Sequence, residues 1–519
     1  MKFRLKDYPD IRKEVEAMDL TELIRAIIVP NMRVGDALPR NTRSVFIHAA
    51  TMEQAKDISR QVNTDRKAPA LIAADVESSA GTAIVGAIKF PTMRSVCEGG
   101  DPRLAYEMGV VSAKEMNCAG YHWAFGPVVD ILGNPLSPIV SLRTAGGDPD
   151  NVITYCGSFM RGLQDNGIIA TLKHFPGDGY CIDDQHVTVA ENPLSKEQWW
   201  ATFGKVYGEL IGQGAMTIMP GHISLPAFDE PDEYGLYPPA TVSKRILTEL
   251  LRDKLGFEGI LVSDATEMGG FAGYTNLYHG CAAFLEAGGD CLLFIHESET
   301  FIKGIEQCIA EGRLTMQTLR NRAYRMCCFT KQYFETHSPV PSDVSCDRIA
   351  AEKLAEKVTR GGIKVIRDRK GVLPVELSDK RVAHIVIHNY WFKKFEHPEA
   401  LTEELSKWAA SVEEFRDPGP VKLEQIARSG DYDLIVCSVF EAPEWAVNTA
   451  KLCGVAARNM MRGWMKLDTP VVFVVWQSVC FAETYKAVAD TVINTHGITK
   501  HTPKAIVDKL QGKQKTFII

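Results

Sequence analysis

The sequence predicts an α/β protein: a (β/α) barrel of the TIM type, followed by a smaller α/β domain built as a layered sheet. Three observations carry this prediction. The chain has 519 residues, too many for one ordinary hydrophobic core, so two or more domains are expected. From about residue 42, short apolar runs alternate with longer amphipathic stretches over more than half of the chain. A segment rich in proline and polar residues, 336–343, then reads as a linker or domain-edge loop. Domains of 1–338 and 345–519 follow from these features.

The apolar runs are 44–47, 68–74, 121–131, 167–172, 215–219, 259–262 and 291–295. Runs of this length, apolar throughout rather than alternating, suit strands of a parallel sheet covered on both faces. Helix-like stretches lie between them at 102–116, 195–213, 243–255 and 278–287. Seven strand candidates alternating with helices favour a barrel, complete or incomplete, over an open doubly wound sheet. Past the linker, 347–360 reads as a helix, and 363–366, 382–388, 434–439 and 471–476 read as buried strands, with 447–465 as a covering helix.

Composition narrows the function classes. Hydrophobic residues make up 45% and charged residues 24%, the proportions of a soluble globular protein. A formal net charge of −7 argues against a nucleic-acid or anionic-membrane surface. No apolar run approaches the roughly 20 residues that cross a bilayer, and residues 1–10 lack the apolar core of a signal peptide. The thirteen cysteines are scattered, without Cys-x-x-Cys or a paired framework, so reduced thiols in a cytoplasm are expected. No Gly-x-Gly-x-x-Gly or Walker-type loop follows a strand, which weakens nucleotide binding. No cofactor is expected.

The chemistry concentrates in 173–186, Lys-His-Phe-Pro-Gly-Asp-Gly-Tyr-Cys-Ile-Asp-Asp-Gln-His, directly after an apolar run. A run that ends in Lys-His and then Pro-Gly reads as a buried strand that stops and turns. Strand ends opening into polar loops are where α/β proteins place their chemistry. Within the loop, Asp184 or its neighbour Asp183 can hold His186 in one tautomer and make it a proton shuttle. A second carboxylate, Asp264, ends the run Gly-Ile-Leu-Val-Ser-Asp at 259–264. It suits a nucleophile at a strand end, or alternatively a helix N-cap. His174, Asp178, Asp184 and His186 also make a conceivable metal-ligand set, but without the His-x-x-x-His or His-x-His spacing that puts two imidazoles on one face, so no metal is expected.

Lys-His-Phe-Pro-Gly-x-Gly followed by Asp-x-His, with Ser-Asp-Ala-Thr-Glu-Met downstream, resembles glycoside hydrolase family 3, specifically its β-N-acetylglucosaminidase branch. The match spans about 45–375 and includes Ala355, Gly361-Gly362-Ile363 and Leu373-Pro374, similar to the start of that family's second domain. The resemblance implies a retaining exo-glycosidase in which Asp264 is the nucleophile and His186, held by Asp184, is the acid/base. It implies that Asp75, Arg143, Lys173, His174 and His222 bind the sugar, although each also suits an ordinary ion pair or structural role. The implied partner is a small glycoside or oligosaccharide, with no nucleic acid or membrane.

Two departures stand out. Gly177-Asp178-Gly179-Tyr180 replaces the family's Gly-His-Gly-Asp, and Val76-Glu77-Ser78-Ser79-Ala80 replaces Gln-Glu-Gly-Gly-Arg. Asp178, Tyr180 and Cys181 are therefore expected to alter the mouth of the site. Two rivals remain: a phosphorylase with phosphate as the acceptor, since a histidine acid/base repels phosphate less than a carboxylate does, and a sugar-binding protein that has lost catalysis. A β-glucosidase fits less well, because that branch generally lacks Asp-x-His.

Overall fold

The computed structural model describes residues 2–39, 41–64, 66, 68–343, 346–389, 398–441 and 445–513. The chain divides into two compact units, Met1–Lys89 with Pro102–Glu352, and Phe90–Asp101 with Lys353–Ile519.

Apolar segments of the first unit form a parallel sheet. Its order is Ile260–Leu261, Thr217–Pro220, Ile169–Phe175, Trp123–Ala124, Leu71–Ala74, Ser44–Ile47 and Asn31–Met32. Two further pairings close it. Ile28–Val29 lies beside Leu292–Leu293, and Val262 bridges to Cys291. Ile28–Val29 and Asn31–Met32 are two pieces of one strand around Pro30, whose carbonyl accepts from the Phe46 amide. The sheet is therefore a closed (β/α) barrel.

Seven of its strands coincide with the apolar runs. The strand at residues 28–32 was not anticipated, because proline splits it and it follows the helix Leu20–Ile27 without a break. Every residue of Leu71–Ala74 and Ile169–Phe175 is buried, as a sheet covered on both faces requires. Phe46, Leu71, Trp123, Phe125 and Met219 fill the interior. Trp123 Nε1 satisfies itself on Thr171 Oγ1 at 2.8 Å.

The second unit contains a six-stranded sheet in the order Lys364–Asp368, Thr491–Asn494, Val471–Val475, Leu434–Phe440, Arg381–His388 and Ser411–Arg416. Only Lys364–Asp368 runs antiparallel to its neighbour. Apolar clusters cover both faces, one around Trp464 and Phe473 and the other around Trp476 and Ile506. The expected single helix over 447–465 is instead a short helix, Gly454–Arg458, and a turn, Trp464–Lys466. Gly454 and Gly463 both have positive φ, which interrupts a right-handed helix.

Residues Phe90–Asp101, counted with the barrel from sequence, pack with this second unit: Thr92 donates to the His496 carbonyl, and Ser95 fills the space beside Gly362. The proline-rich segment lies on the barrel, where the Pro339 carbonyl accepts from Asn63 and the Ser342 amide donates to the Asn117 carbonyl, both at 2.9 Å. Residues 344 and 345, at the expected start of the second domain, lie outside the described residues.

One buried charge fixes the strand that carries Asp264. Asp290 is fully buried; its Oδ2 accepts from the Leu261 amide at 2.9 Å and from Arg252 at 2.8 Å, and its Oδ1 accepts from Arg325 Nε at 2.7 Å. Burial works to raise its pKa, but the guanidinium groups outweigh burial and hold it at about 2. Removing one partner of a buried pair leaves the others uncompensated and costs about 3–5 kcal/mol. Asp290→Ala should therefore lower the stability of the barrel by about that amount, read as a drop in the urea midpoint with folded-state spectra unchanged below it.

Candidate active site

The expected site residues stand at the carboxyl ends of the barrel strands or in the loops that follow. Asp75 follows Leu71–Ala74, Lys173 and His174 lie at the end of Ile169–Phe175, and Asp264 lies just past Ile260–Leu261. Arg143 arrives on the long connection after Trp123–Ala124, and Asp184 and His186 on the loop after Ile169–Phe175. Parallel strands in a closed barrel all end on one face, so these groups converge.

Asp264 is the centre. It is buried except for a side chain 12% exposed. Its Oδ1 accepts from the Ala265 amide at 2.8 Å, and His174 Nε2 lies 3.9 Å from its Oδ2. It caps no helix, because the next one starts at Gly269 with Met268 as its N-cap. Burial works to raise its pKa, but His174, His222, His186 and Lys173 outweigh this and lower it. The carboxylate is therefore kept ionised, as a nucleophile must be.

His174 is held from behind. Its Nδ1 meets Asp130 Oδ2 at 2.8 Å, and Asp130 Oδ1 accepts from the amides of His174 at 3.1 Å and Asp178 at 2.8 Å. Asp130 is fully buried. Its role has no local sequence signal, because its partners His174 and Asp178 lie more than forty residues further along the chain.

Beside this pair lies a cluster of four charges. Arg143 grips Glu77 through two parallel bonds, Nε to Oε2 at 2.9 Å and Nη2 to Oε1 at 2.7 Å. Lys173 Nζ reaches Glu77 Oε1 at 2.9 Å and Asp75 Oδ1 at 3.1 Å. Burial works to raise the Glu77 pKa, yet Arg143 and Lys173 drive it well below the ordinary carboxylate range. Glu77, the residue that agrees with the family pattern inside a segment that otherwise departs from it, is the hub that orients both cations. Asp75 keeps 57% of its side chain exposed and is the member of the cluster most open to a ligand.

Asp184, not Asp183, partners His186. Its Oδ1 lies 2.7 Å from His186 Nδ1 and accepts the His186 amide at 2.9 Å. Asp184 is fully buried, whereas Asp183 is exposed. A carboxylate at Nδ1 fixes the ring and directs proton exchange to Nε2. His222 behaves differently from the sugar contact expected of it. It is fully buried, Thr241 meets its Nδ1 at 3.1 Å, and its Nε2 donates to the Ala265 carbonyl at 3.0 Å. Burial lowers its pKa, and with both ring nitrogens engaged it is a brace under the residue after Asp264.

Of the loop departures, Asp178 and Cys181 point inward rather than into the mouth, and Tyr180 is half-buried. Asp178 and Cys181 are buried, and the Cys181 thiol donates to Asp178 Oδ1 at 2.9 Å. The Tyr180 ring packs on Gly133, where any Cβ would collide with it, and lies edge-on to Phe203. Apolar burial draws Tyr180 and Cys181 down, and Asp178 follows because its amide is tied to Asp130. Among the described residues, no cluster of three or more His, Cys, Asp or Glu side chains has the arrangement of a metal site. All thirteen cysteines are among the described residues, and none is in a disulfide.

A family model described as the glycosyl hydrolase family 3 N-terminal domain matches residues 18–328, more than half of the chain. The chain belongs to glycosyl hydrolase family 3. The β-N-acetylglucosaminidase/β-glucosidase of Cellulomonas fimi is 30% identical over 354 residues, covering 66% of this chain and 62% of that protein. The chain therefore spans somewhat less than two thirds of that relative. Among solved structures, a β-glucoside phosphorylase superposes with a TM-score of 0.89 at 22% identity, over 99% of this chain and 96% of its own. A family 3 β-N-acetylglucosaminidase from Paenibacillus sp. str. FPU-7 superposes with a TM-score of 0.81 at 21% identity, over 96% and 98%. At such identities these superpositions establish the family 3 fold. Among the described residues, no helix is long and apolar enough to cross a membrane.

The Asp130–Asp178 pair gives this family member a testable pH signature. Burial, reinforced by the Asp130 charge, pushes Asp178 up to about 6, above its unfolded value of about 3.9. Charging it thus costs stability progressively as pH rises from about 4 through about 6. Asp178→Asn removes that cost. The variant should exceed wild type in stability by about 2–3 kcal/mol at pH 8, with the advantage fading on acidification to pH 4, measured as urea midpoints across the range.

Proposed function

We propose that this family 3 chain is a retaining, exo-acting β-N-acetylglucosaminidase that releases terminal β-linked N-acetylglucosamine through a covalent glycosyl-enzyme intermediate. The observation that carries the proposal is the Asp184–His186 pair, at 2.7 Å, on the loop beside an ionised Asp264. It supplies a proton donor where most glycosidases use a second carboxylate. That the Cellulomonas fimi relative and the Paenibacillus protein are both named β-N-acetylglucosaminidases supports the choice of sugar.

In this reading an Asp264 oxygen attacks the anomeric carbon while the bond to the aglycone oxygen breaks. The imidazolium of His186 passes its Nε2 proton to that oxygen. Water then attacks the anomeric carbon, gives its proton back to Nε2 and releases Asp264 as a carboxylate. Asp184 stabilises the imidazolium in both steps. Lys173 and Asp75 hold hydroxyls of the terminal sugar, and Arg143 and Glu77 keep Lys173 in place. Such contacts accelerate the reaction to the extent that they strengthen as positive charge develops on the ring.

A phosphorylase is the second reading. The superposition with a β-glucoside phosphorylase and the set of His174, His186 and Lys173 around Asp264 both favour it, because an anionic acceptor needs cationic or neutral surroundings. The test is product analysis on aryl β-N-acetylglucosaminide and aryl β-glucoside, with and without inorganic phosphate. Free N-acetylglucosamine at a phosphate-independent rate is expected; phosphate-dependent sugar 1-phosphate would replace this reading with the second. Asp264→Asn should lower kcat by about 10^4-fold or more while the folded spectrum is retained. Wild-type turnover in that variant would remove the mechanism.

A further inference from the structure

The loop that carries Asp184 and His186 is fastened to the turn that follows Asp264, and the fastening is built from residues with no chemistry of their own. Gln185 lies between the two members of the pair and is buried to 1% exposure. Its Oε1 accepts from the His222 amide at 2.8 Å, and its Nε2 faces Asp178 Oδ2 at 3.5 Å. Its carbonyl accepts from the Gly270 amide at 3.1 Å, while the His186 carbonyl accepts from the Gly269 amide at 2.8 Å.

Backbone approaches this close admit only glycine. A Cβ on Gly269 would lie 2.2 Å from the Val187 carbonyl oxygen. One on Gly270 would lie 2.7 Å from His222 Cβ and 2.8 Å from the Gln185 carbonyl oxygen. The opposing atoms are mostly backbone, so they yield only if the loop itself moves. The same turn is tied to the nucleophile, since the Met268 amide donates to the Ala265 carbonyl and that carbonyl also accepts from His222. Asp264 and His186 thus stand on two segments locked together by Gln185, Gly269 and Gly270.

We propose that Gln185, Gly269 and Gly270 are positioning residues that set the reach of His186 to the departing oxygen. The proposal rests on the assignment of Asp184 and His186 as the proton-transfer pair. Displacing an acid without touching the nucleophile gives a selective defect. Glycosides with an alkyl or sugar leaving group need protonation in the bond-breaking step, whereas a dinitrophenolate leaves without it.

The test is kcat/KM for Gln185→Met, Gly269→Ala and Gly270→Ala on an alkyl β-N-acetylglucosaminide and on the dinitrophenyl glycoside. His186→Ala and Asp264→Asn serve as references. A loss of about 10- to 100-fold is expected on the alkyl glycoside, with less than about 3-fold on the dinitrophenyl glycoside, the same pattern as His186→Ala. The ratio of the two substrates within one variant is independent of the fraction folded, so partial unfolding does not imitate the effect. Equal loss on both glycosides, or no loss on either, overturns the positioning role while His186→Ala remains selective. A His186→Ala variant that lacks the selective defect removes the underlying assignment instead, and the two failures are read from different proteins.

Discussion

The candidate site depends first on Asp130, an ionisable group buried completely below the strand end. Taking a carboxylate out of water costs several kcal/mol unless its oxygens are satisfied. Here two amides and one imidazole nitrogen satisfy them. The return is geometric. His174 is held against Asp264, and the chain from His174 to Asp178 is folded into the turn that launches the loop bearing Asp184 and His186. Burial, with the Asp130 charge added to it, pushes the neighbouring Asp178 up to about 6, as expected for two carboxylates in one buried volume.

Around this anchor the site separates charges by function. Asp264 is kept ionised by imidazoles and Lys173 although it is buried. Glu77 takes up Arg143 and Lys173, so the two cations form a fixed framework rather than a mobile pair competing for Asp264. Asp75, attached to that framework through Lys173, stays open to solvent. One partly buried carboxylate thus orders the cations, a second is buried among imidazoles, and a third stands open to solvent. Burial and the number of donors reaching each, not residue type, distinguish the three.

Much of the fold was legible because a barrel strand covered on both faces must be apolar along its whole length, and seven runs in the sequence satisfy that condition. The piece at 28–32 escaped because Pro30 splits it into two short segments, one pairing with each neighbour. The helix expected over 447–465 failed at Gly454 and Gly463, where the chain takes positive φ. Asp264, Asp184 and His186 were visible because strand-end position and two-residue spacing are local signals. Asp130, Glu77 and Gln185 were not, since each acts through partners tens of residues away along the chain. His222 illustrates the opposite case: a histidine at a strand end whose two nitrogens are engaged by Thr241 and Ala265.

The inward turn of 178–181 bears on how a family 3 site tolerates change. Asp178, Tyr180 and Cys181 differ from the pattern the chain otherwise resembles, yet their side chains pack beneath the loop, on Gly133, Phe203 and one another. Substitution there alters what supports the loop rather than what meets the substrate. The Asp178 carboxylate, facing Gln185, becomes part of that support, and through Gln185 it is connected to the backbone of His222 and so to the turn after Asp264. Residue 178, eight positions before His186, thus touches both the loop that carries the Asp184–His186 pair and, through Gln185 and His222, the turn after Asp264.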